Sequence, residues 1–114
     1  MDSTHLFAGV RVRDIAQARP WYERLLGSEP AFLPHDGEAV WAVGEGRWFC
    51  LLEDASRAGT GLVTLMVADL DSTVAAIRGH GIEPSDVEDH GEARKYVFHD
   101  HDGNEIGIGQ VPEA

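Results

Sequence analysis

The sequence has little that would cross-link the chain or place it in a membrane. Only one of its 114 residues, Cys50, is a cysteine, so no disulfide can form within the chain. Its longest apolar stretches, such as residues 48–52, are as long as a strand and too short to span a bilayer. The N-terminus lacks the basic and then apolar pattern of a signal peptide. We therefore expect a cytoplasmic protein.

Positive charge is also scarce. The chain has 9 Lys and Arg against 20 Asp and Glu, which gives a formal net charge of -11. That charge repels phosphate backbones and anionic lipids, so we expect no nucleic-acid partner and no membrane partner. A neutral or cationic small molecule is easier to accommodate, although an excess of acidic groups also serves solubility alone.

The sequence does contain an internal repeat. Residues 7–14 and 62–69 each alternate apolar and other side chains and end on an aspartate. Such alternation predicts a half-buried strand. Apolar residues at spacings of three and four follow each aspartate, which predicts a helix after each strand.

The ends of the two predicted helices have recognisable signals. Asp14 is the predicted cap of the first helix, and Gly27 suits its left-handed end. Pro20 lies between them, and an interior proline costs about 3 kcal/mol, so we expect a kink or a late helix start there. The second helix has two candidates for each end, Asp69 or Asp71 at the start and Gly79 or Gly81 at the stop.

Each half then continues in strands. The predicted pairs are residues 38–43 with 47–53 and residues 94–100 with 105–111, and weaker third strands are predicted near 29–34 and 82–87. The polar segment 55–60 is the predicted linker. We therefore predict one α+β domain of two βαβββ modules, residues 1–54 and 61–114.

Three stretches of this chain resemble the vicinal oxygen chelate superfamily, which includes glyoxalases, bleomycin-resistance proteins and dioxygenases. They are residues 12–14, the helix end at 21–27, and the turn at 98–104, in which His101 replaces the proline usual in the family. The resemblance, which runs from residue 7 to 108, implies a cupped mixed sheet with the helices on its outer face, usually in a homodimer with clefts lined by strand faces. Its members include metal-dependent enzymes and metal-free drug-binding proteins, so the fold does not decide the function.

The resemblance also allows a test for the superfamily's metal site. Metal-dependent members carry ligands at the start of each opening strand and in the last strand of each half, and the matching residues here are Phe7, Leu62, Cys50 and Gly107. A transition metal needs three or four donor side chains. We therefore expect no metal and no cofactor, unless a bulge or register slip brings His5 to the first position.

A second histidine pattern lies in the late turn. His99 and His101 alternate there with Asp100 and Asp102. One interpretation is a surface metal site. The interpretation that we favour is a solvated turn in which the two aspartates accept hydrogen bonds from local amides.

The faces opposite the helices are predicted to form an apolar and aromatic wall, which is typical of a small-molecule pocket. A filled core or a dimer interface fits the same composition. Arg11 could hold a carboxylate, Glu105 could act as a base, or the two could pair, whereas Cys50 is expected to be an inert thiol. The sequence does not decide on which face of their strands Trp41 and Tyr96 lie. The predicted cleft-lining residues are Phe7, Arg11, Trp48, Cys50, Leu62, Thr64, Met66, Glu105 and Gly107.

The function that we predict from the sequence is small-molecule binding by a metal-free homodimer. Its ligand is expected to be neutral or cationic and partly aromatic. One alternative is a metal-dependent lyase or dioxygenase with an atypical site built from His5, Cys50 or the pair His99 and His101. Another is a non-catalytic structural dimer. Whether the chain is an enzyme, and whether its modules pair within one chain or exchange between chains, stays open.

Overall fold

The computed structural model describes residues 1–91 and 93–111 and contains two copies of one module. The first module has the order β1 Leu6–Val12, α1 Ile15–Leu26, β2 Phe32–His35, β3 Glu38–Gly44 and β4 Arg47–Glu53. The second has the order β5 Leu62–Met66, α2 Leu70–Gly79, β6 Asp86–His90, β7 Ala93–His99 and β8 Glu105–Gln110. The predicted α+β fold of two βαβββ modules is confirmed. Its predicted boundaries stay predictions, and residues 92 and 112–114 of the second module lie outside the described residues.

Each module forms a four-stranded mixed sheet. The strand orders are β1-β4-β3-β2 and β5-β8-β7-β6. In each sheet the first strand is parallel to the last, and the other pairs are antiparallel. A parallel connection needs a crossover, which the helix supplies, so each helix covers one face of its sheet and leaves the other face free. We call these uncovered sides the open faces.

The start of α1 corrects one expectation. Asp14 accepts hydrogen bonds from the amides of Ala16 and Gln17, and the helix runs without a break from Ile15 past Pro20. The predicted late start is therefore wrong. The ring of Pro20 is exposed, and its neighbour Trp21 is buried in the core, so packing of the helix offsets the lost backbone bond.

The other helix ends follow the sequence signals. Gly27 adopts the left-handed conformation with φ 77°, and its amide donates to the carbonyl oxygen of Glu23. Of the two candidate caps of α2, Asp69 is the one whose side chain accepts from the amide of Ser72. The helix ends at Gly79, two residues before Gly81, which has φ 89°.

The third strand of each module lies later in the chain than predicted. β2 is Phe32–His35 and β6 is Asp86–His90. Both are edge strands, and no residue of β2 or β6 is fully buried. Ile82, where the later prediction began, packs instead into the core. Edge strands lack the alternation that marks a half-buried strand, so their register could not be located from the pattern.

One hydrophobic core joins the two modules. It includes Tyr22 and Phe49 from the first module and Phe98 and Ile106 from the second, and all four are fully buried. Burying side chains of this size contributes about 1.5–3 kcal/mol each. The two modules therefore pack on each other within one chain. No helix of the described segments has the length and apolar character needed to cross a membrane.

The core also shows on which side of their sheets Trp41 and Tyr96 lie, which the sequence did not decide. Trp41 is buried on the helix side of its sheet, where its ring lies 6.2 Å from that of Phe49. Tyr96 is on the helix side of the second sheet, and the guanidinium carbons of Arg78 and Arg94 each lie 5.7 Å from its ring centre. Neither aromatic belongs to the open faces.

Candidate functional site

Strand register places all the predicted cleft-lining residues on the open faces. In the first sheet Phe7 lies opposite Trp48, and in the second Thr64 lies opposite Gly107. Side chains alternate along a strand, so the remaining members follow by parity. Those on the first sheet are Phe7, Arg11, Trp48 and Cys50, and those on the second are Leu62, Thr64, Met66, Glu105 and Gly107. Their role in binding a ligand stays a prediction.

An aromatic cluster covers part of the first open face. The ring of Phe7 stacks on Trp48 with centroids 5.7 Å apart, and Phe32 meets Trp48 edge-on at 5.8 Å. Phe7 is 56% exposed and Phe32 is 46% exposed. We call these three residues the aromatic cluster. Large aromatic side chains left in water mark a surface that binds something.

The sequence analysis missed Phe32. Its strand is the weakly signalled edge strand β2, in which Phe32 pairs with Val40, and Val40 in turn pairs with Cys50. These pairings carry Phe32 onto the same face as Cys50. An aromatic residue in a weak strand was the only signal for it.

Trp48 carries a polar atom without a partner. Its indole nitrogen Nε1 is buried, and no group of the described residues accepts a hydrogen bond from it. A buried donor without an acceptor costs about 1–3 kcal/mol. An acceptor supplied by a bound molecule would remove that cost.

Cys50 is half-buried beside the aromatic cluster. Burial and, to a lesser extent, the carboxylate of Glu38 raise the pKa of its thiol. A thiol with a raised pKa stays protonated at neutral pH and is a poor nucleophile and a poor metal ligand. This supports the expected inert thiol.

Arg11 and Glu105 do not pair with each other. The guanidinium Nε of Arg11 lies 3.5 Å from a carboxylate oxygen of Asp54, and Glu105 lies 3.7 Å from the ring of His99. The suggested mutual pair is therefore wrong. A hydrogen bond from Ser56 is the main cause of the lowered pKa of Asp54, and Arg11 adds to it, so Arg11 already faces a carboxylate of its own chain.

Lys95 covers Gly107 on the second open face. A Cβ atom on Gly107 would lie 2.7 Å from Cδ of Lys95 and 3.1 Å from Oγ1 of Thr64. The ammonium group of Lys95 pairs at 3.4 Å with Glu88, whose pKa is lowered chiefly by a hydrogen bond with His90 and further by Lys95. The sequence analysis missed Lys95, although its parity with residues 97 and 99 in β7 was available.

The residues at the four superfamily ligand positions do not fit a divalent metal. Phe7, Leu62 and Gly107 offer no lone pair, and the thiol of Cys50 has a raised pKa. The side chain of Lys95, which ends in a cation, packs against Gly107. No chemical step through a metal follows from this donor set.

The alternative histidine ligands are also placed. His5 precedes β1, and the pairing of β1 with β4 runs unbroken from Leu6, so no bulge brings His5 to the ligand position. His99 contacts the hydroxyl of Ser85 at 2.6 Å, and His101 is exposed. Within residues 1–91 and 93–111 no three His, Cys, Asp or Glu side chains are grouped to hold a metal.

The turn after β7 is held by a buried carboxylate. Asp100 accepts from the amides of Asp102 and Asn104, each at 2.9 Å, and from the hydroxyl of Tyr22 at 2.6 Å. Burial and this bond to Asp100 raise the pKa of Tyr22 well above its ordinary value. Asp100 thus accepts from local amides, as the favoured interpretation has it, but its burial shows that the expectation of a solvated turn is wrong there. Asp102 accepts instead from the amide of Arg13 in the first module.

A cavity of about 570 Å³ lies where the two modules meet. It is lined by Ala8 of β1 and Leu65 of β5, and by side chains from the ends of both helices. Trp48 also borders it. We call it the seam cavity, and the sequence analysis did not predict it.

Comparisons of the sequence and of the structure relate this chain to the same group of proteins. Residues 4–108 match the sequence profile of the Glyoxalase/Bleomycin resistance protein/Dioxygenase superfamily. A glyoxalase/bleomycin resistance protein from Catenulispora acidiphila is 43% identical, with a TM-score of 0.92 over 96% of this chain and 100% of that chain. No protein of curated function matches the sequence significantly.

Two more distant structures share the fold alone. TnmS3, an antibiotic binding protein from a Streptomyces species, is 22% identical, with a TM-score of 0.76 over 96% of this chain and 97% of that one. The fosfomycin resistance protein FosX from Listeria monocytogenes is 18% identical, with a TM-score of 0.70 over 96% and 94%.

Proposed function

We propose, from the premise that this chain belongs to the Glyoxalase/Bleomycin resistance protein/Dioxygenase superfamily, that it binds a small, partly aromatic molecule without a metal. The observation that carries the proposal is the aromatic cluster on the first open face, in which Phe7 and Phe32 are exposed and pack against the half-buried Trp48. Aromatic faces of this kind stack on planar ligands. The net charge of -11 favours a neutral or cationic ligand over an anion.

The second part of the proposal is that the chain acts as a homodimer. Leu62 is 66% exposed and Met66 is 50% exposed on the second open face, and Phe7 and Phe32 are exposed on the first. A second copy of the chain that covers these faces would remove apolar surface from water and close a cleft around a ligand.

Two of the structural relatives point towards the same class of function. TnmS3 binds an antibiotic, and FosX is a resistance protein for fosfomycin. Both are too distant to show more than the fold. They support small-molecule binding as the function to test first.

The test is a thermal-shift screen of the purified protein, combined with elemental analysis after purification without added ions. A neutral or cationic aromatic ligand at 100 times its dissociation constant is expected to stabilise the protein by about 2.7 kcal/mol. Anionic analogues are expected to bind more weakly. Stoichiometric transition metal, or stabilisation by zinc, nickel, manganese or ferrous ion, would instead favour the metal-dependent lyase or dioxygenase.

The variants Phe7→Ala and Phe32→Ala are expected to weaken the binding of any such ligand. The control is Val87→Ala, because Val87 is also apolar and exposed but pairs with Tyr96 on the helix side of its sheet. If no compound raises the melting temperature and the protein is a dimer, the structural dimer is the better account.

A further inference from the structure

The seam cavity is lined by residues from the helix sides of the sheets and by residues from the open faces. It lies at β1 and β5, the strands at which the two modules meet, and in the described residues each of these strands pairs only within its own sheet. Leu26 and Ile77 line it from the helix side. Trp48 and Thr64, which belong to the open faces, line it as well. Residues from both sides of the sheets thus border one cavity.

The chemistry of its wall is mostly apolar. Ala8, Leu65 and Val67 are only half-buried although they face this space, so they still have surface to bury. The volume of about 570 Å³ falls within the roughly 300–1,000 Å³ of typical ligand pockets. An apolar wall offers water few hydrogen bonds, so an aliphatic group is the occupant that it favours.

Trp48 joins this cavity to the aromatic cluster. Its ring stacks with Phe7 on the open face, and the same side chain lines the seam cavity. A single ligand can therefore place a ring on the aromatic cluster and a chain in the seam cavity. The Nε1 atom of Trp48 is buried and has no acceptor among the described residues, so a ligand oxygen that reached it would gain a hydrogen bond.

We propose that the ligand is an aromatic compound with an aliphatic chain, whose ring stacks on the aromatic cluster and whose chain enters the seam cavity. This inference rests on the proposed function, because it assigns the class of ligand for the same site. It adds a second subsite between the modules, lined by Ala8, Leu26, Leu65 and Ile77.

The test uses alkyl phenyl ketones, which are neutral and carry a ring, an acceptor oxygen and a chain of chosen length. They compete with the fluorescent probe N-phenyl-1-naphthylamine for the purified full-length protein. Each added methylene is expected to tighten binding about fourfold, until the cavity is full and the affinity levels off.

Variants separate the two subsites. Ala8→Leu and Leu65→Phe each fill the cavity from a different module, and both are expected to abolish the dependence on chain length while acetophenone still binds. Making both keeps the test intact if one fails to fold. Phe7→Ala is expected to weaken the whole series by the same factor. The control Ala75→Leu adds the same side chain on the exposed face of α2 and is expected to leave the series unchanged.

The outcomes distinguish the two proposals. Binding of the short ketones with no gain from longer chains would overturn the seam subsite and leave the proposed function standing. An unchanged length dependence in folded Ala8→Leu and Leu65→Phe proteins would also overturn it. If wild-type protein bound neither the probe nor any ketone, both proposals would be overturned.

Discussion

Cys50 lies on the open face of β4, opposite Gly9 of β1 and Val40 of β3. A Cβ atom on Gly9 would lie 3.0 Å from the carbonyl oxygen of Cys50, so the two backbones approach each other closely. The raised pKa of this thiol has burial as its main cause. The position that resembles a metal-ligand site in the family therefore holds a group that is uncharged at neutral pH.

The first prediction concerns the reactivity of this thiol. At pH 8 we expect iodoacetamide to modify Cys50 more slowly in the folded protein than in the urea-unfolded chain, because less of the folded thiol is ionised. Mass spectrometry of timed samples measures the two rates. Equal rates would show that the thiol is accessible and ionised, and would return Cys50 to the candidates for chemistry.

The second prediction concerns Tyr22. Its pKa is raised in the folded state, so above the ordinary tyrosine pKa of about 10 the unfolded chain loses a proton that the folded protein keeps. Stability therefore falls as the pH rises, by about 1.4 kcal/mol at pH 11. Urea unfolding from pH 8 to 11 measures it. Tyr22→Phe is expected to lose this part of the pH dependence, whereas Tyr96→Phe is expected to keep it.

The sheet face on which a residue lies was predictable wherever its strand shows a clear alternation. Alternation in β1, β4, β5 and β8 was enough to put the predicted residues on the open faces. It could not find Phe32, whose strand has no clear pattern. It also could not show that Arg11 turns to Asp54, since that contact depends on the turn that follows β4.

The helix ends allow a matched test among the secondary-structure elements. Gly27 has φ 77°, a conformation that costs an L-residue about 1–2 kcal/mol, and the nearest atom to an added Cβ is 3.7 Å away. Gly27→Ala is therefore expected to destabilise the protein by about 1 kcal/mol through the backbone alone.

The comparison for this third prediction is Gly79, the last residue of α2. A Cβ atom there meets nothing within 4 Å, and its φ is not positive. Gly79→Ala is expected to stabilise by about 0.5–1 kcal/mol, because alanine favours the helix and restricts the unfolded chain. Urea unfolding compares the two variants. A loss of stability in both would show that space, rather than backbone conformation, decides these positions.

The helices and strands that bury more of their residues were easier to predict from the sequence. The helices and the central strand β4 bury a regular stripe, so their periods are visible in the sequence. Pro20 was misjudged because local cost was weighed without the packing of Trp21 and Tyr22. β2 and β6 were shifted because edge strands bury no complete face.

At the scale of the whole molecule, the joining of the modules depends on contacts that no local pattern predicts. Asn104 is fully buried where the modules meet. Its side-chain oxygen accepts from the amide of Gly61, and its nitrogen donates to the carbonyl oxygen of Arg11, both at 2.8 Å. Arg11 belongs to β1, and Gly61 directly precedes β5, so one side chain ties the two strands at the seam together.

The fourth prediction is that Asn104→Ala loosens this joint. The change leaves the buried groups of Gly61 and Arg11 without their partner and removes a donor to Asp100, so we expect a loss of about 2–3 kcal/mol in the free energy of unfolding. With the joint weakened, modules of two chains are expected to exchange more readily. In the homodimer that we propose, mixing tagged and untagged chains and measuring mixed dimers over time tests this.

Ser56→Ala is the control for that experiment, because Ser56 is exposed and its hydroxyl donates to Asp54 at the end of the first module. Its expected effect is within about 0.5 kcal/mol, with unchanged exchange. If Asn104→Ala lost stability but exchanged no faster, Asn104 would stabilise the turn around Asp100 rather than the joint. Faster exchange in the variant alone would mean that this buried amide keeps the two modules paired within one chain, and with them the wall of the seam cavity.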